Sequence, residues 1–191
     1  SFAGVVNRVI REQIKTAKSM DELKAAVRRA IFEEVRAIAA TFHDLYVTPS
    51  PYMSIFFDGC VEKGRDIAYG NKYNNYGLHG TGLATAADSL AAVNEMIFNR
   101  HIAPETLIAA MDADFKGYDE MHYQLKNECP KMGNDDDRAD QYGVWLLDVF
   151  ADAVRGRRNE RGGVVRAGTG TAMYYVSHAA SLGATADGRE A

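Results

Sequence analysis

The sequence has little of what would cross-link a protein or anchor it in a membrane. Its 191 residues include only two cysteines, Cys60 and Cys129, which excludes a disulfide framework and indicates a reducing compartment. No run of about 18 apolar residues occurs, which argues against a membrane-spanning helix. The N-terminal stretch lacks the pattern of a signal peptide. We therefore expect a cytoplasmic protein with no membrane partner.

Strong charge and ligand-binding motifs are also missing. The formal net charge is −4, and no long basic run occurs, so nucleic acid is not expected as a partner. The short basic stretch at 155–161 is interpreted as a solvated helix end and loop. Histidine and cysteine lack the spacing of a zinc site, and the patterns of phosphate loops and dinucleotide folds are absent. We expect neither a metal nor a bound cofactor in this chain.

What the sequence does contain is apolar residues at helical spacing. Hydrophobic residues make up 47% of the chain, which is enough for one domain with a core. Ser19 and Glu22 predict a capping box at the start of a helix, and Asn134 is predicted to cap a long helix. The spacing predicts helices at about 3–16, 20–40, 83–99, 104–113, 118–127 and from 135 to about 156.

Two segments are predicted to be strands. Residues 52–57, YMSIFF, are apolar and aromatic between turn residues, which predicts a buried strand. Residues 163–189 begin like a strand and continue as a glycine-rich loop. Residues 58–82 are predicted to be a long loop, and long loops inside compact domains are usually functional. The order of elements indicates an α/β fold whose two strands need neighbours from further sequence or another chain.

Cys60 lies in this loop, directly after the predicted strand. An isolated cysteine is most often a small buried hydrophobe, and Cys129 is assigned that role. Cys60 differs because Glu62 follows two residues later, on the same side if the backbone is extended. A carboxylate whose pKa is raised by burial can act as a general acid or base. Gly59 is expected to let the loop turn tightly.

Aromatic and histidine side chains surround the same loop. His79, in the stretch YGLHGTG, is a candidate pocket residue, although a lone histidine is more often structural. Tyr69, Tyr73 and Tyr76 recur three or four residues apart. They are interpreted as packing around the loop and not as a stacking platform.

Four segments together resemble the glycyl radical enzymes of the pyruvate formate-lyase type. They are DGCVEKGRDIAYGNKYNNYG, ATAADSLAAVNEMIF, CPKMGNDDD and GATADGREA, in the family's order, over roughly residues 50–191. The resemblance implies an α/β barrel of ten strands with helices outside, of which this chain would be a part. It also implies a glycyl radical, installed by an iron–sulfur activating enzyme that uses S-adenosylmethionine. That radical would oxidise Cys60 to a thiyl radical, which takes a hydrogen atom from a small-molecule substrate.

Two parts of the family pattern have no counterpart in this sequence. The family's glycine loop, of the form Arg-Val-x-Gly-Tyr, is missing, and so is the N-terminal part of the barrel. We therefore expect residues 1–191 to be a single fragment of a longer enzyme that does not turn over by itself. The family also implies a homodimer.

The loop cysteine narrows the reaction type. The formate-lyase branch of the family has a pair of adjacent cysteines at this loop, whereas this sequence has only Cys60 there. The resemblance therefore disfavours acyl transfer. Cys60 with Glu62 resembles the branch that breaks C–O, C–N or C–S bonds, in which the glutamate moves a proton beside the radical carbon. The EKGRD continuation departs from that branch and leaves the substrate open. Alternatives are a formate-lyase-like acyltransferase, an aryl-acetate decarboxylase, or a non-catalytic α/β fragment that binds or dimerises.

Overall fold

The computed structural model describes residues 1–42, 45–170 and 175–191, so residues 171–174 of the predicted glycine-rich loop lie outside the described residues. Within these ranges the chain is helix-rich, with one small sheet. The elements are α1 (Phe2–Gln13), α2 (Met20–Ala39), α3 (Pro51–Ser54), α4 (Cys60–Lys63), α5 (Ile67–Gly70), β1 (Tyr76–Gly80), α6 (Leu83–Val93), α7 (Pro104–Asp112), α8 (Asp119–Tyr123), α9 (Asp137–Val154), β2 (Val165–Thr169) and α10 (Tyr175–Leu182). Helices α6 and α8 each continue as a wider π-helical turn, over Asn94–Asn99 and Gln124–Glu128.

The predicted helices before residue 157 are confirmed, and one predicted cap is wrong. At the start of α2 the Ser19 hydroxyl accepts the Glu22 N–H, and the Glu22 carboxylate accepts the Lys18 N–H. Helix α9 is capped by Asp136, whose carboxylate accepts the Arg138 N–H at 3.0 Å, and not by Asn134. An N-cap must directly precede the first helical residue. The residue after Asn134, Asp135, has a φ of 58°, which keeps the helix from starting there.

Four helices form the core. Helix α6 packs on α1 and α9, and α2 packs on the same two helices. Their buried faces carry aliphatic side chains at helical spacing, as the sequence predicted, including Val6, Ile10, Val27, Leu90 and Leu146. Burial of these faces supplies most of the hydrophobic stabilisation. The alanine-rich α6 lets its neighbours approach closely, because most of its buried side chains are small.

Strands β1 and β2 pair in parallel, with Tyr76 opposite Val165 and Gly80 opposite Thr169. Strand β2 confirms the strand-like start of 163–189, but that segment also contains α10. Strand β1 lies inside the region predicted to be a loop, which also contains α4 and α5. Since a parallel strand cannot be reached by a tight turn, a long crossover connects the two strands, and it contains helices α6 to α9.

The predicted buried strand at 52–57 is wrong. Pro51 occupies the first turn of α3, where its fixed φ suits a helix, and the Ser54 N–H donates to the Ser50 carbonyl at 2.9 Å. Five apolar side chains of this segment are exposed: Tyr52, Met53, Ile55, Phe56 and Phe57. A short apolar run fits either a strand or a helix. Among the described residues no strand pairs with residues 52–57.

Lys131 joins three distant segments of the chain. Its ammonium group donates to the carbonyl of Leu125 at 2.7 Å, at the end of the α8 extension, and to that of Asp187 at 2.8 Å. The next residue, Met132, donates its N–H to the Asp88 carboxylate of α6 at 2.6 Å. Burial raises the pKa of Asp88, while the Met132 hydrogen bond and Lys131 oppose that rise. The segments DSLAA, CPKMGND and GATADGR therefore meet at one junction.

The turn at 183–189 is fastened to the core mainly through its backbone. The Thr185 N–H donates to the Arg189 carbonyl at 2.9 Å, and the Thr185 side chain is buried. A ring nitrogen of His122 lies 2.9 Å from the Gly188 carbonyl, and the His122 ring stacks on Phe115. These contacts, with that of Lys131, give the segment a scaffold role.

Within the ranges that the structure describes, no helix combines the length and the apolar character needed to cross a membrane.

Replacing Lys131 by Met should lower the free energy of unfolding by about 2 kcal/mol, because two carbonyls lose a charged donor. Urea denaturation followed by circular dichroism measures this difference. Lys126→Met is the matched control, since Lys126 is exposed one residue after Leu125. Equal stability of the two variants would contradict the assigned role of Lys131.

Candidate active site

Cys60 lies in a compact group of short helices that we name the cysteine module, residues 50–72, which includes α3, α4 and α5. Gly59 precedes α4 with a φ of 89°, a left-handed conformation that side chains other than hydrogen disfavour. Its carbonyl accepts the Lys63 N–H, so the chain turns directly from Gly59 into the helix. Cys60 is the first residue of α4, and its side chain is only 2% exposed.

Asp66 holds the two ends of the module together. One carboxylate oxygen accepts the Ser50 N–H at 2.7 Å and lies 3.0 Å from the Ser54 hydroxyl. The other accepts the Ala68 N–H and so caps α5. The Ser54 hydroxyl oxygen in turn accepts the Ile67 N–H at 2.8 Å. One carboxylate and one hydroxyl thus fix α3 against α5.

The protonation state of Asp66 matters to this network. Desolvation by itself would raise the pKa of Asp66, but hydrogen bonds from Ser50, Ala68 and Ser54 outweigh it and lower the pKa below the usual value of 3.8. The ionised form is therefore the one that the module stabilises. Its contribution is present above the unfolded pKa and is lost as the pH falls through the lowered folded value.

The last residue of α5, Gly70, lies close to Cys60. A methyl group built on Gly70 would lie 3.0 Å from the Cys60 sulfur and 2.4 Å from the Arg65 carbonyl oxygen, so only glycine fits. The Lys63 ammonium group donates to the Gly70 carbonyl at 2.9 Å and ties the end of α4 to the end of α5. The position of Cys60 is therefore set by α5 as well as by its own helix.

Glu62 does not lie on the same side as Cys60. The expectation that it would depended on extended backbone, but the two residues lie in α4, and residues two apart on a helix face nearly opposite directions. Glu62 is exposed to solvent. The described residues therefore do not provide the burial on which the acid–base hypothesis for this carboxylate depended.

His79 lies on β1 and not in a loop, and its side chain is exposed. Its ring lies close to Gly77 and to Gly168 of β2. Cys60 lines a pocket of about 290 Å³ whose walls come from the cysteine module and from Pro49, and His79 is not one of its residues. Cys60 and His79 thus face different spaces in the described part of the chain.

Three functional candidates were missed at the level of sequence: Asp66, Gly70 and Arg161. Asp66 has a detectable signal, because an aspartate directly before IAYG is a helix N-cap pattern. The basic stretch 155–161 is a helix end and loop with Arg155 and Arg158 exposed, as predicted, but the prediction of a solvated side chain is wrong for Arg161. Its side chain is only 6% exposed and lies against Tyr69 and Tyr76.

Tyr73 does not share the packing of the other two tyrosines. It is 72% exposed, with the Lys72 ammonium 5.6 Å from its ring centroid. Tyr76 packs edge-on against Phe42, and its hydroxyl donates to the Glu160 carboxylate. Burial and that hydrogen bond raise the pKa of Tyr76 to about 12.

The second cysteine has a structural environment. Cys129 is 4% exposed within the hydrophobic core, and burial raises the pKa of its thiol. A buried thiol that stays protonated is a poor nucleophile. Among the described residues no group of three or more histidine, cysteine or acidic side chains is placed to hold a metal ion. The cysteine module is therefore the candidate reactive centre: a pocket with a sheltered thiol, free of a metal group within the described ranges.

The sequence of this chain matches a family model. The model is that of pyruvate formate lyase-like proteins, and the match covers residues 8–178. A trans-4-hydroxy-L-proline dehydratase from Clostridioides difficile is 34% identical over 143 residues, which is 74% of this chain and 18% of that protein. A (2S)-3-sulfopropanediol dehydratase from Klebsiella oxytoca is 29% identical over 187 residues, which is 93% of this chain and 22% of that protein.

Solved structures give the same picture. The B12-independent glycerol dehydratase from Clostridium butyricum, in its glycerol-bound form, superposes with a TM-score of 0.81 at 28% identity. The superposition covers 97% of this chain and 27% of that one. The chain thus spans about a fifth of the length of the curated relatives.

A methyl group at residue 70 should loosen the cysteine module. We expect Gly70→Ala to raise the rate of tryptic cleavage after Arg65 about tenfold, because overpacking opens α5 from α4. Gly170→Ala is the control, since no described residue lies within 4 Å of a methyl group built there. Cleavage at the native rate in Gly70→Ala would show that α5 does not confine Cys60.

Removing the charge of Asp66 should produce a pH-dependent defect. In Asp66→Asn we expect hydrogen exchange in residues 50–70 to be about three- to tenfold faster than in the native protein near pH 6. The difference should shrink as the pH falls from 3.8 through the lowered folded pKa of Asp66, because the native carboxylate is then protonated as well. Peptide mass spectrometry measures both proteins at each pH, which cancels the intrinsic exchange rate. A difference that does not change with pH would assign the effect to shape and not to charge.

Proposed function

The chain belongs to the pyruvate formate lyase-like family, and on that premise we propose that Cys60 is the hydrogen-abstracting thiol of a glycyl radical enzyme. The reaction proposed is the radical elimination of a leaving group from a small molecule, with cleavage of a C–O, C–N or C–S bond. The family match confirms the resemblance drawn from the four sequence segments. Dehydratases among the relatives favour elimination over acyl transfer or decarboxylation.

The observation that carries the proposal is the shelter of one thiol at a glycine turn. Cys60 is buried but lines a pocket, so its sulfur is screened from bulk solvent and yet adjoins a space. A thiyl radical exchanges hydrogen with other thiols and with weakened C–H bonds, so a confined position suits that chemistry better than an exposed one. The left-handed Gly59 and the close approach of Gly70 hold the sulfur in place.

The glycyl radical is a feature of the family and does not lie in this chain. That radical supplies the one-electron oxidation that turns a thiol into a thiyl radical. Its generation by an S-adenosylmethionine iron–sulfur enzyme makes that enzyme the proposed partner, and a homodimer the proposed assembly.

Cys60 would act twice in each turnover. Its sulfur first takes a hydrogen atom from a substrate carbon that carries a hydroxyl group, which leaves the unpaired electron on that carbon. Loss of the hydroxyl proton and departure of the neighbouring group with its bonding electrons then give a product radical. The Cys60 S–H finally returns a hydrogen atom to the product radical, so the thiyl radical is regenerated and all atoms balance.

Glu62 is proposed as the group that takes the hydroxyl proton and delivers it to the leaving group. In the described structure it is exposed on the face of α4 away from Cys60. The role therefore requires that substrate or further polypeptide cover this face, because a carboxylate needs a raised pKa to transfer protons in both directions near neutral pH. His79 is the weaker candidate for a substrate contact, since its exposed ring lies away from the Cys60 pocket.

Strands β1 and β2 are proposed as two strands of a ten-stranded α/β barrel. Their parallel pairing, with helices packed nearby, is the arrangement that such a barrel repeats. The apolar side chains exposed at 52–57 would then face other parts of the assembled enzyme. A non-catalytic module that binds or dimerises remains the contrasting hypothesis, and the next experiment separates the two.

The test uses the polypeptide that carries this sequence, incubated without oxygen with its activating enzyme. Electron paramagnetic resonance should show a glycyl doublet in the native protein and in Cys60→Ala, but only the native protein should consume substrate. Diols, hydroxyproline and hydroxylated sulfonates are the substrates to screen first. Glu62→Gln should keep the doublet and lower turnover by about a hundredfold to ten-thousandfold.

Two controls accompany these variants. Cys129→Ala removes the other buried thiol, and Asp58→Asn removes an exposed carboxylate of the same module. Both should turn over close to the native rate. Native turnover in Cys60→Ala would eliminate the radical-lyase proposal, and a protein that never forms the doublet beside an activated control enzyme would support the binding hypothesis.

A further inference from the structure

We propose that Arg161 is a positioning residue that fixes the cysteine module, and with it Cys60, onto the β1–β2 sheet. The proposal rests on the role given to Cys60 above, but its test does not depend on radical chemistry. Arg161 lies far from Cys60 in sequence, on the turn between α9 and β2. The basic stretch to which it belongs has no other part in the proposed function.

The guanidinium group of Arg161 lies between two aromatic rings from different parts of the fold. Its central carbon is 4.9 Å from the ring centroid of Tyr69, in α5, and 5.3 Å from that of Tyr76, in β1. A cation over an aromatic face is attracted by the ring quadrupole, and the attraction grows when solvent is excluded. The side chain is 94% buried, since only 6% of it is exposed.

Hydrogen bonds and charge add to this stacking. One terminal nitrogen of Arg161 donates to the Leu45 carbonyl at 2.5 Å, which holds the segment leading into the cysteine module. The Glu160 carboxylate lies 3.5 Å from the guanidinium and also accepts the Tyr76 hydroxyl. A single planar cation therefore contacts the segment before the module, α5 within it, and the strand that follows it.

The turn that carries Arg161 is itself rigidly held. The Asn159 side chain accepts the N–H groups of Arg161 and Gly163 at 3.0 and 2.9 Å. The same side chain donates to the Asn74 carbonyl, just before β1. The Val164 N–H donates to the Asn75 side chain at 3.0 Å. This turn thus holds the segment between the cysteine module and β1 through hydrogen bonds to Asn74 and Asn75.

The path from Arg161 to the thiol has two contacts. Arg161 stacks on Tyr69, and the next residue, Gly70, lies beside Cys60, since a methyl group built on Gly70 would be 3.0 Å from the Cys60 sulfur. Because Gly70 has no side chain and no room for one, a displacement of α5 at Tyr69 moves the wall against which the sulfur packs. The position of Cys60 in its pocket is therefore coupled to the stacking of Arg161.

The chain offers matched comparisons on the same turn. Arg158 has the same charge, is exposed, and stacks on no ring within the described residues, so Arg158→Ala changes the charge of the turn alone. Arg161→Lys keeps the charge but loses the planar group that stacks between two rings. Cys129, buried in the helical core, reports whether the whole protein has opened.

The experiment measures alkylation of Cys60 and Cys129 by iodoacetamide, site by site, with peptide mass spectrometry on the native protein and these variants. In Arg161→Ala we expect Cys60 to react about tenfold faster while Cys129 reacts at its native rate, since only the module is released. Arg161→Lys should resemble Arg161→Ala, and Arg158→Ala should resemble the native protein.

Three results would overturn the proposal. An unchanged rate at Cys60 in Arg161→Ala would show that the stacking does not position the thiol. Equal acceleration at both cysteines would make Arg161 a residue of global stability only. Full protection in Arg161→Lys would show that charge without stacking suffices. Because alkylation needs no glycyl radical, a failure of the proposed function would appear in turnover and leave this readout unaffected.

Discussion

The ammonium group of Lys131 is the point on which the scaffold depends. A single cation satisfies two carbonyls from segments far apart in the sequence, and its neighbour Met132 is held by the Asp88 carboxylate of α6. Charged donors to buried carbonyls are worth more than neutral ones, and they define angles as well as distances. Three of the four sequence segments that carry the family resemblance thus meet at one junction.

The cysteine module, unlike the helical core, is ordered by polar interactions and not by hydrophobic packing. It has almost no hydrophobic core of its own, and its larger apolar side chains are exposed. Order comes from polar groups instead: the Asp66 carboxylate within the module and the Arg161 guanidinium between the module and the sheet. The glycines at 59 and 70 supply conformations and close contacts that no other residue allows. The sulfur of Cys60 is thereby held in place in a region that packing alone would leave loose.

The helical part of the fold was predictable because an amphipathic pattern is a local property that long segments repeat many times. The conformation of segment 52–57 was not predictable, since a six-residue apolar run is too short to show a helical or a strand period. The proline before it favours the helix. The identity of Cys60 as a candidate followed from family resemblance, whereas its geometry did not. The opposite orientations of Cys60 and Glu62 depend on a four-residue helix, which is too short to be predicted from hydrophobic periodicity. Asp66 showed a capping pattern, but the stacking of Arg161 depends on two tyrosines that only the tertiary structure brings to it.

The parallel pairing of β1 with β2 has a consequence for the order in which the molecule forms. Helices α6 to α9 lie in the crossover between these strands, so the hydrogen bonds that pair the strands close a very long loop, and such non-local contacts form late. The turn that carries Arg161 immediately precedes β2. The contacts of Arg161 with the cysteine module therefore form only when β2 pairs with β1. During folding the helices therefore assemble first, and the thiol reaches its sheltered position only near the end.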